Sequence, residues 1–135
     1  MNRYMSATLL KKSNVKIALR WLLIVFYFAA GVNHFVHPEF YLPLIPSYFP
    51  NPEFINLASG VVEVVLAIGV ILPKYRKTAV VLILLMLIAF IPSHVYFIQE
   101  GACMGEQSLC TPVWVAWVRL VPIHPLLMYW AWYVR

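Results

Sequence analysis

Residues 78–98 read TAVVLILLMLIAFIPSHVYFI, an apolar run without a single charged side chain, and residues 73–77 before it read PKYRK. A helix rising about 1.5 Å per residue needs about 20 such residues to cross a hydrocarbon core. This run therefore reads as a membrane span with a basic flank. The same test finds three more spans, at about Ile17 to Val36, Phe54 to Leu72 and Val113 to Tyr133. Composition agrees. The chain is 63% hydrophobic and 11% charged, whereas a soluble domain is roughly half apolar and about a quarter charged. So few charges could not cover a water-soluble fold of this size. The formal charge of +5 would suit nucleic acid if it lay along a polar face. It lies instead beside apolar spans, where the membrane reads it.

Orientation follows from the basic residues. Arg3, Lys11, Lys12 and Lys16 precede the first span, and Lys74, Arg76 and Lys77 fill the second loop, while residues 37–53 and 99–112 hold no Lys or Arg. Positive loops stay on the cytoplasmic side. The expected architecture is an all-α integral membrane four-helix bundle with both termini inside. Residues 1–16 form a basic cytoplasmic tail, residues 17–135 form the transmembrane domain, and loops 37–53 and 99–112 lie on the outer side of a bacterial-type inner membrane. A cleaved leader competes for the first span, with Lys11, Lys12 and Lys16 as its basic region and Ala29-Ala30-Gly31 as its cleavage site. The span is longer and more aromatic than such leaders, whose apolar cores run about 7–15 residues.

The first outer loop, HPEFYLPLIPSYFPNPE, carries five prolines among Phe40, Tyr41, Leu42, Leu44, Ile45, Tyr48 and Phe49. Proline removes a donor and restricts its predecessor, so a continuous helix is excluded. The apolar content predicts a lid of short turns folded back over the mouth of the bundle.

Glu63 is the most informative residue. It sits near the middle of the second span, where a carboxylate costs a few kcal/mol unless paired or protonated. Asn56, Ser59, Gly60 and Glu63 follow helical spacing and share one face, which must point into the bundle. Gly60 would let a neighbouring helix approach closely. Arg119, at similar depth in the fourth span, is the expected partner, since guanidinium can grip a carboxylate with two bonds. Such a pair could fix helix register or handle protons and ligands. Asn33 and His34 end the first span, His94 ends the third, and His124 lies between Pro122 and Pro125. Together, Asn33, His34, Ser59, Glu63, His94, Arg119 and His124 form the candidate intramembrane polar site. No pair has the spacing of a helical zinc motif, so no metal is expected. Cys103 and Cys110 lie in an outer loop where oxidising conditions favour a disulfide. Their spacing is not that of a Cys-X-X-Cys redox motif.

The string Ala30-Gly31, Asn33-His34-Phe35, Pro38-Glu39-Phe40-Tyr41, Ile45-Pro46 and Pro50-Asn51-Pro52 resembles the signature of the DoxX-like family of small four-helix membrane proteins. The resemblance continues through Ser59-Gly60-Val61-Val62-Glu63, Pro73, Arg76, Trp117-Val118-Arg119-Leu120 and Pro125-Leu126-Leu127, and covers the chain from Ala18 onward. The third span departs from it: relatives often carry Asn near Pro92-Ser93-His94. Cys103 and Cys110 lie outside the pattern. The resemblance implies chiefly fold and location. Relatives are linked to thiosulfate–quinone oxidation, thiol-dependent stress complexes, maturation of a periplasmic dehydrogenase and, in animals, receptor assembly, and one fold hosts many functions.

Two functions follow as expectations. The first is an accessory or assembly component without catalysis of its own, held in the lipid bilayer and bound to another membrane or outer-side protein, with self-association also open. The second is a small oxidoreductase component that binds a quinone in the polar cavity, where Phe26, Tyr27, Phe35 and Tyr41 would suit a flat ring. Nucleic acid is not an expected partner. A carrier is disfavoured because no inverted repeat is visible.

Overall fold

The computed structural model describes residues 3–104 and 110–135, with side chains from residue 12 onward; residues 105–109 of the last loop lie outside the described set. Every regular element among these residues is helical. Helix α1 spans Arg3–Val36, and two 3-10 turns follow at Pro38–Phe40 and Leu42–Leu44. Helices α2 and α3 span Pro52–Ile71 and Arg76–Gln99. The chain ends with α4 at Val113–Val118, a π-helical turn at Arg119–Ile123 and α5 at His124–Val134.

Three helical stretches are long and apolar enough to cross a membrane: Lys12–Val36, Pro52–Ile71 and Arg76–Gln99. Their packing is that of a membrane protein. Leu22, Val25 and Phe28 on α1, Val61, Val65 and Ile68 on α2, and Leu82, Leu85 and Ile88 on α3 all point outward. Soluble monomers rarely expose contiguous apolar surface on this scale, whereas lipid is a good solvent for it.

Helix α1 begins ahead of the expected first span, and the expected fourth span is interrupted. The expected tail over residues 1–16 is helical from Arg3 and runs into α1 without a break. No Pro or Gly falls between Arg3 and Gly31 to stop the helix; the Arg3 and Lys11 side chains lie outside the described set. The expected span at 113–133 is not one continuous helix. Pro122 and Pro125 each lack the N–H that an α-helix needs. The backbone answers with a π turn, in which the His124 amide donates to the Arg119 carbonyl five residues back. By contrast, Pro92 sits inside α3 without ending it.

Helices α1 and α2 cross in close backbone contact. A Cβ placed on Gly31 would lie 2.7 Å from the Gly60 carbonyl oxygen, and one on Gly60 would lie 2.7 Å from the His34 Cβ and 2.9 Å from the Gly31 carbonyl oxygen. Only glycine at both positions permits this approach, the device by which membrane helices gain close packing. Below the crossing, Leu23, Tyr27, Leu66, Val70, Val80, Ile83, Leu87, Ala131 and Val134 form the main core, drawn from α1, α2, α3 and α5. At the far end, Arg20 Nε donates to the Val134 carbonyl at 2.9 Å, and Trp130 Nε1 donates to the Leu19 carbonyl at 3.0 Å. These bonds tie α5 to α1. Arg76 caps α2 through the Val70 and Ile71 carbonyls.

The opposite end carries the α1–α2 and α3–α4 connections. Asn51, in the left-handed region at φ 57°, caps α2 by accepting from the Phe54 amide, with Pro52 as the first helical residue. After α3, Gly101 at φ 74° and Ala102 at φ 60° turn the chain. The Ala102 amide returns to the Phe97 carbonyl, the Thr111 amide donates to the Ala102 carbonyl, and Cys103 is bridged to Cys110.

The crossing yields a direct prediction. Gly60→Val forces the His34 side chain or the α1 backbone to move, at about 1–3 kcal/mol. Thermal unfolding in detergent should show a lowered midpoint for Gly60→Val and an unchanged one for Val61→Ala on the outward face. Equal midpoints for the two would contradict the close crossing.

Candidate functional site

The chain encloses a cavity of about 540 Å³ whose walls come from α1, α2, α3 and the π turn–α5 segment. Tyr41, Leu44, Ile45, Pro46 and Phe49 line its mouth. The proline-rich segment therefore does fold back over the bundle as short turns. Most of the wall is apolar or aromatic, including Phe26, Tyr27, Phe90 and Phe97. Its polar groups are His34, Asn56, Ser59, Glu63, Ser93, His94, Arg119 and His124.

The Gly31–Gly60 crossing explains the first polar cluster. Each glycine lies within one turn of a polar residue, His34 three beyond Gly31 and Glu63 three beyond Gly60. Backbone contact between the glycines consequently presses His34 against α2. His34 Nδ1 lies 2.7 Å from Asn56 Oδ1, and Asn56 Nδ2 donates to the His34 carbonyl at 3.0 Å. His34 Nε2 faces Glu63 Oε2 at 3.7 Å, with both side chains more than nine-tenths buried. Tyr41 from the mouth stacks on the His34 ring, with centroids 3.6 Å apart and planes inclined by 22°. Glu63 Oε2 and the Tyr27 hydroxyl are buried without a hydrogen-bond partner in the protein.

The second cluster comes from α3, the π turn and α5. His124 Nε2 donates to the Leu87 carbonyl at 2.8 Å, a bond between a buried ring and a main-chain acceptor. His94 meets His124 edge to face, with centroids 5.0 Å apart. The Arg119 guanidinium lies over the Phe97 ring at 5.4 Å, a cation–π arrangement.

Six of the seven expected residues thus line one cavity: His34, Ser59, Glu63, His94, Arg119 and His124. Asn33 does not. Its amide donates to the Tyr41 hydroxyl at 2.9 Å, and it lines a smaller pocket of about 220 Å³ that shares Arg119 and Tyr41. The expected Glu63–Arg119 ion pair is not formed: the ion-pair neighbour of Glu63 is His34. The glycine crossing seats the α1 histidine beside the carboxylate, while Arg119 rests on an aromatic ring of α3. His37, the remaining histidine, is exposed and pairs locally with Glu39 at 2.8 Å. Glu39's own backbone amide, then His37, hold its carboxyl below the usual range.

Sequence reasoning placed Asn56 on the right helix face without making it the partner of His34. It also named Tyr27 and Tyr41 only as ring-packing candidates. The spacing Tyr27, Gly31, His34 on α1 mirrors Asn56, Gly60, Glu63 on α2, and that shared pattern was the available signal. Phe35, proposed with them, faces outward. Among the described residues, no group of three His, Cys, Asp or Glu side chains could hold a metal ion.

A protein-family profile, Domain of unknown function (DUF8561), matches residues 23–135 and so takes in every wall of the cavity. No curated protein and no solved structure matches the chain.

Proposed function

We propose that this chain, which belongs to the DUF8561 family, is an accessory component of a membrane redox complex that holds a flat, largely apolar molecule of the quinone class. The observation that carries this reading is the cavity: about 540 Å³, ringed by aromatic side chains, with two polar clusters of which the His34–Asn56–Glu63 one is buried. Ligand sites of this kind pair an apolar wall with a few placed polar groups that fix orientation. Its volume lies within the range typical of small-molecule pockets, about 300–1,000 Å³. Tyr41, stacked on His34, offers a ring surface at the mouth for a planar guest.

The polar clusters support a bound molecule over simple register-fixing. A pair that served only to lock two helices would satisfy its own hydrogen bonds, because an unmet buried acceptor costs about 1–3 kcal/mol or more. Glu63 Oε2 has no such bond in the protein. The motif string that resembles DoxX-like proteins, some linked to thiosulfate–quinone oxidation, points the same way, and kinship with that family is part of the proposal. The outward apolar faces of α1, α2 and α3 support the bilayer and a neighbouring membrane protein as partners.

Orientation is proposed from the charges. Residues 113–134 form a fourth, broken crossing, both termini face the cytoplasm of a bacterial-type inner membrane, and the disulfide loop faces outward. A membrane-impermeant thiol reagent should label Cys103 and Cys110 in intact cells after reduction and leave them unlabelled before it. Labelling only after the membrane is opened would reverse the topology.

The ligand reading is tested by purifying the protein gently from its native membrane and identifying retained small molecules by mass spectrometry. Wild type should carry a quinone-class molecule, and Glu63→Gln should carry less at equal yield. A co-purifying protein at near-equal stoichiometry, with no small molecule, would leave the accessory role and remove the quinone from it.

A further inference from the structure

We infer that the His34–Asn56–Glu63 cluster is built to accept a hydrogen bond from a ligand hydroxyl, so that the cavity prefers the hydroquinone form of its ligand to the quinone. The inference rests on the quinone-class reading above and adds which redox form is recognised.

Asn56 fixes the state of the His34 ring. Its Nδ2 donates to the His34 carbonyl at 3.0 Å, which fixes the amide with Oδ1 turned to the ring. Oδ1 can only accept, so His34 Nδ1, 2.7 Å away, must be the donor. A neutral imidazole with its proton on Nδ1 has a lone pair on Nε2. That nitrogen faces Glu63 Oε2 at 3.7 Å. Charge-assisted pairs of this type close to about 2.7–2.9 Å when they bond directly, so this separation is not a formed bond. With Glu63 ionised, two acceptors therefore look toward each other across a gap within the cavity wall.

Acceptors so placed need a donor. Glu63 Oε2 is buried and has no partner in the protein, and the residue is 5% exposed. Main-chain amides of α1 and α2 are used within their helices, so the missing N–H or O–H has to come from the cavity side. The same cavity holds the Tyr27 hydroxyl, buried without a partner in the protein, which can donate to a ligand oxygen. A ligand hydroxyl meets both demands, because it gives one hydrogen and keeps two lone pairs. A quinone carbonyl meets only the second, and an ether oxygen likewise. Among apolar ring molecules that fit the aromatic walls, the phenol or hydroquinone is the one that completes the site.

Asn56 is then a positioning residue. It does not need to touch the ligand; it sets the tautomer that leaves Nε2 free to accept. In the far cluster His124 Nε2 is used by the Leu87 carbonyl and Arg119 lies over the Phe97 ring; neither bonds Glu63 Oε2.

The test is anaerobic equilibrium dialysis of the purified protein in detergent against three probes: trimethylbenzoquinone, trimethylhydroquinone and the dimethyl ether of that hydroquinone. Empty micelles serve as the baseline. Wild type should bind the hydroquinone about tenfold more tightly than either other probe, the size expected of a hydrogen bond to a charged group. Glu63→Gln, with helix content checked by circular dichroism, should bind all three within about twofold of one another, since the amide offers a donor where the carboxylate offered an acceptor. Equal binding of quinone and hydroquinone by wild type overturns the inference and leaves the quinone-class reading standing. Binding of none of the probes above the micelle baseline overturns both. The comparison among probes on wild type stands even where the variant fails to fold.

Discussion

Everything that distinguishes this cavity depends on two helices meeting without side chains between them. Gly31 and Gly60 bring the backbones of α1 and α2 into direct contact, with a Cβ on Gly31 lying only 2.7 Å from the Gly60 carbonyl oxygen. In lipid there is no hydrophobic force to pull helices together, so close van der Waals packing must do it. The contact also acts as a fulcrum. Because the His34 Cβ packs on Gly60 and the Glu63 Cβ packs on Gly31, the backbone approach brings imidazole and carboxylate together. A larger residue at either glycine would push them apart before it changed any chemistry.

A buried carboxylate in an apolar protein is costly, and the structure spreads that cost over several helices. Asn56 orients His34, Tyr41 covers it, and the proline-rich turns close the mouth above them. The opposite wall relies on proline for another purpose. Pro122 and Pro125 deny α4 and α5 a continuous helix, and the resulting π turn carries Arg119 while its last amide bond delivers His124 to the Leu87 carbonyl. π turns frequently mark functional positions in helices, and here the turn is part of the cavity wall. Thus the two irregular segments, the proline-rich lid and the broken helix, both border the site.

How much of this was legible from residues alone differs by feature. The apolar runs gave the helical, membrane-embedded character, because lipid leaves little choice of structure for a chain of this composition. Five prolines with aromatic neighbours were enough to anticipate the turns over the mouth. Helical spacing put Asn56, Ser59, Gly60 and Glu63 on one inward face. Depth along a helix, however, does not say which neighbour a side chain will meet. Arg119 was matched to Glu63 by depth and sign of charge, whereas the partner is His34, chosen by the glycine crossing. Asn33 was grouped with His34 by adjacency, yet successive helical residues point about 100° apart, and it turns to Tyr41 instead. The break after Val118 was foreseeable from its prolines. Its resolution as a π turn depends on how α5 packs against α1 and α3, which no local pattern encodes.

Helices α1 and α2 place a His34 ring of fixed tautomer beside Glu63. Solid-state NMR on the protein in lipid bilayers, with labelled histidine and glutamate side chains, measures this placement most directly. A protonated Nδ1 and an unprotonated Nε2 on His34 are expected, together with dipolar coupling between Nε2 and the Glu63 carboxyl consistent with the 3.7 Å approach. A proton on Nε2 with a bare Nδ1, or no detectable coupling between the two side chains, would contradict it.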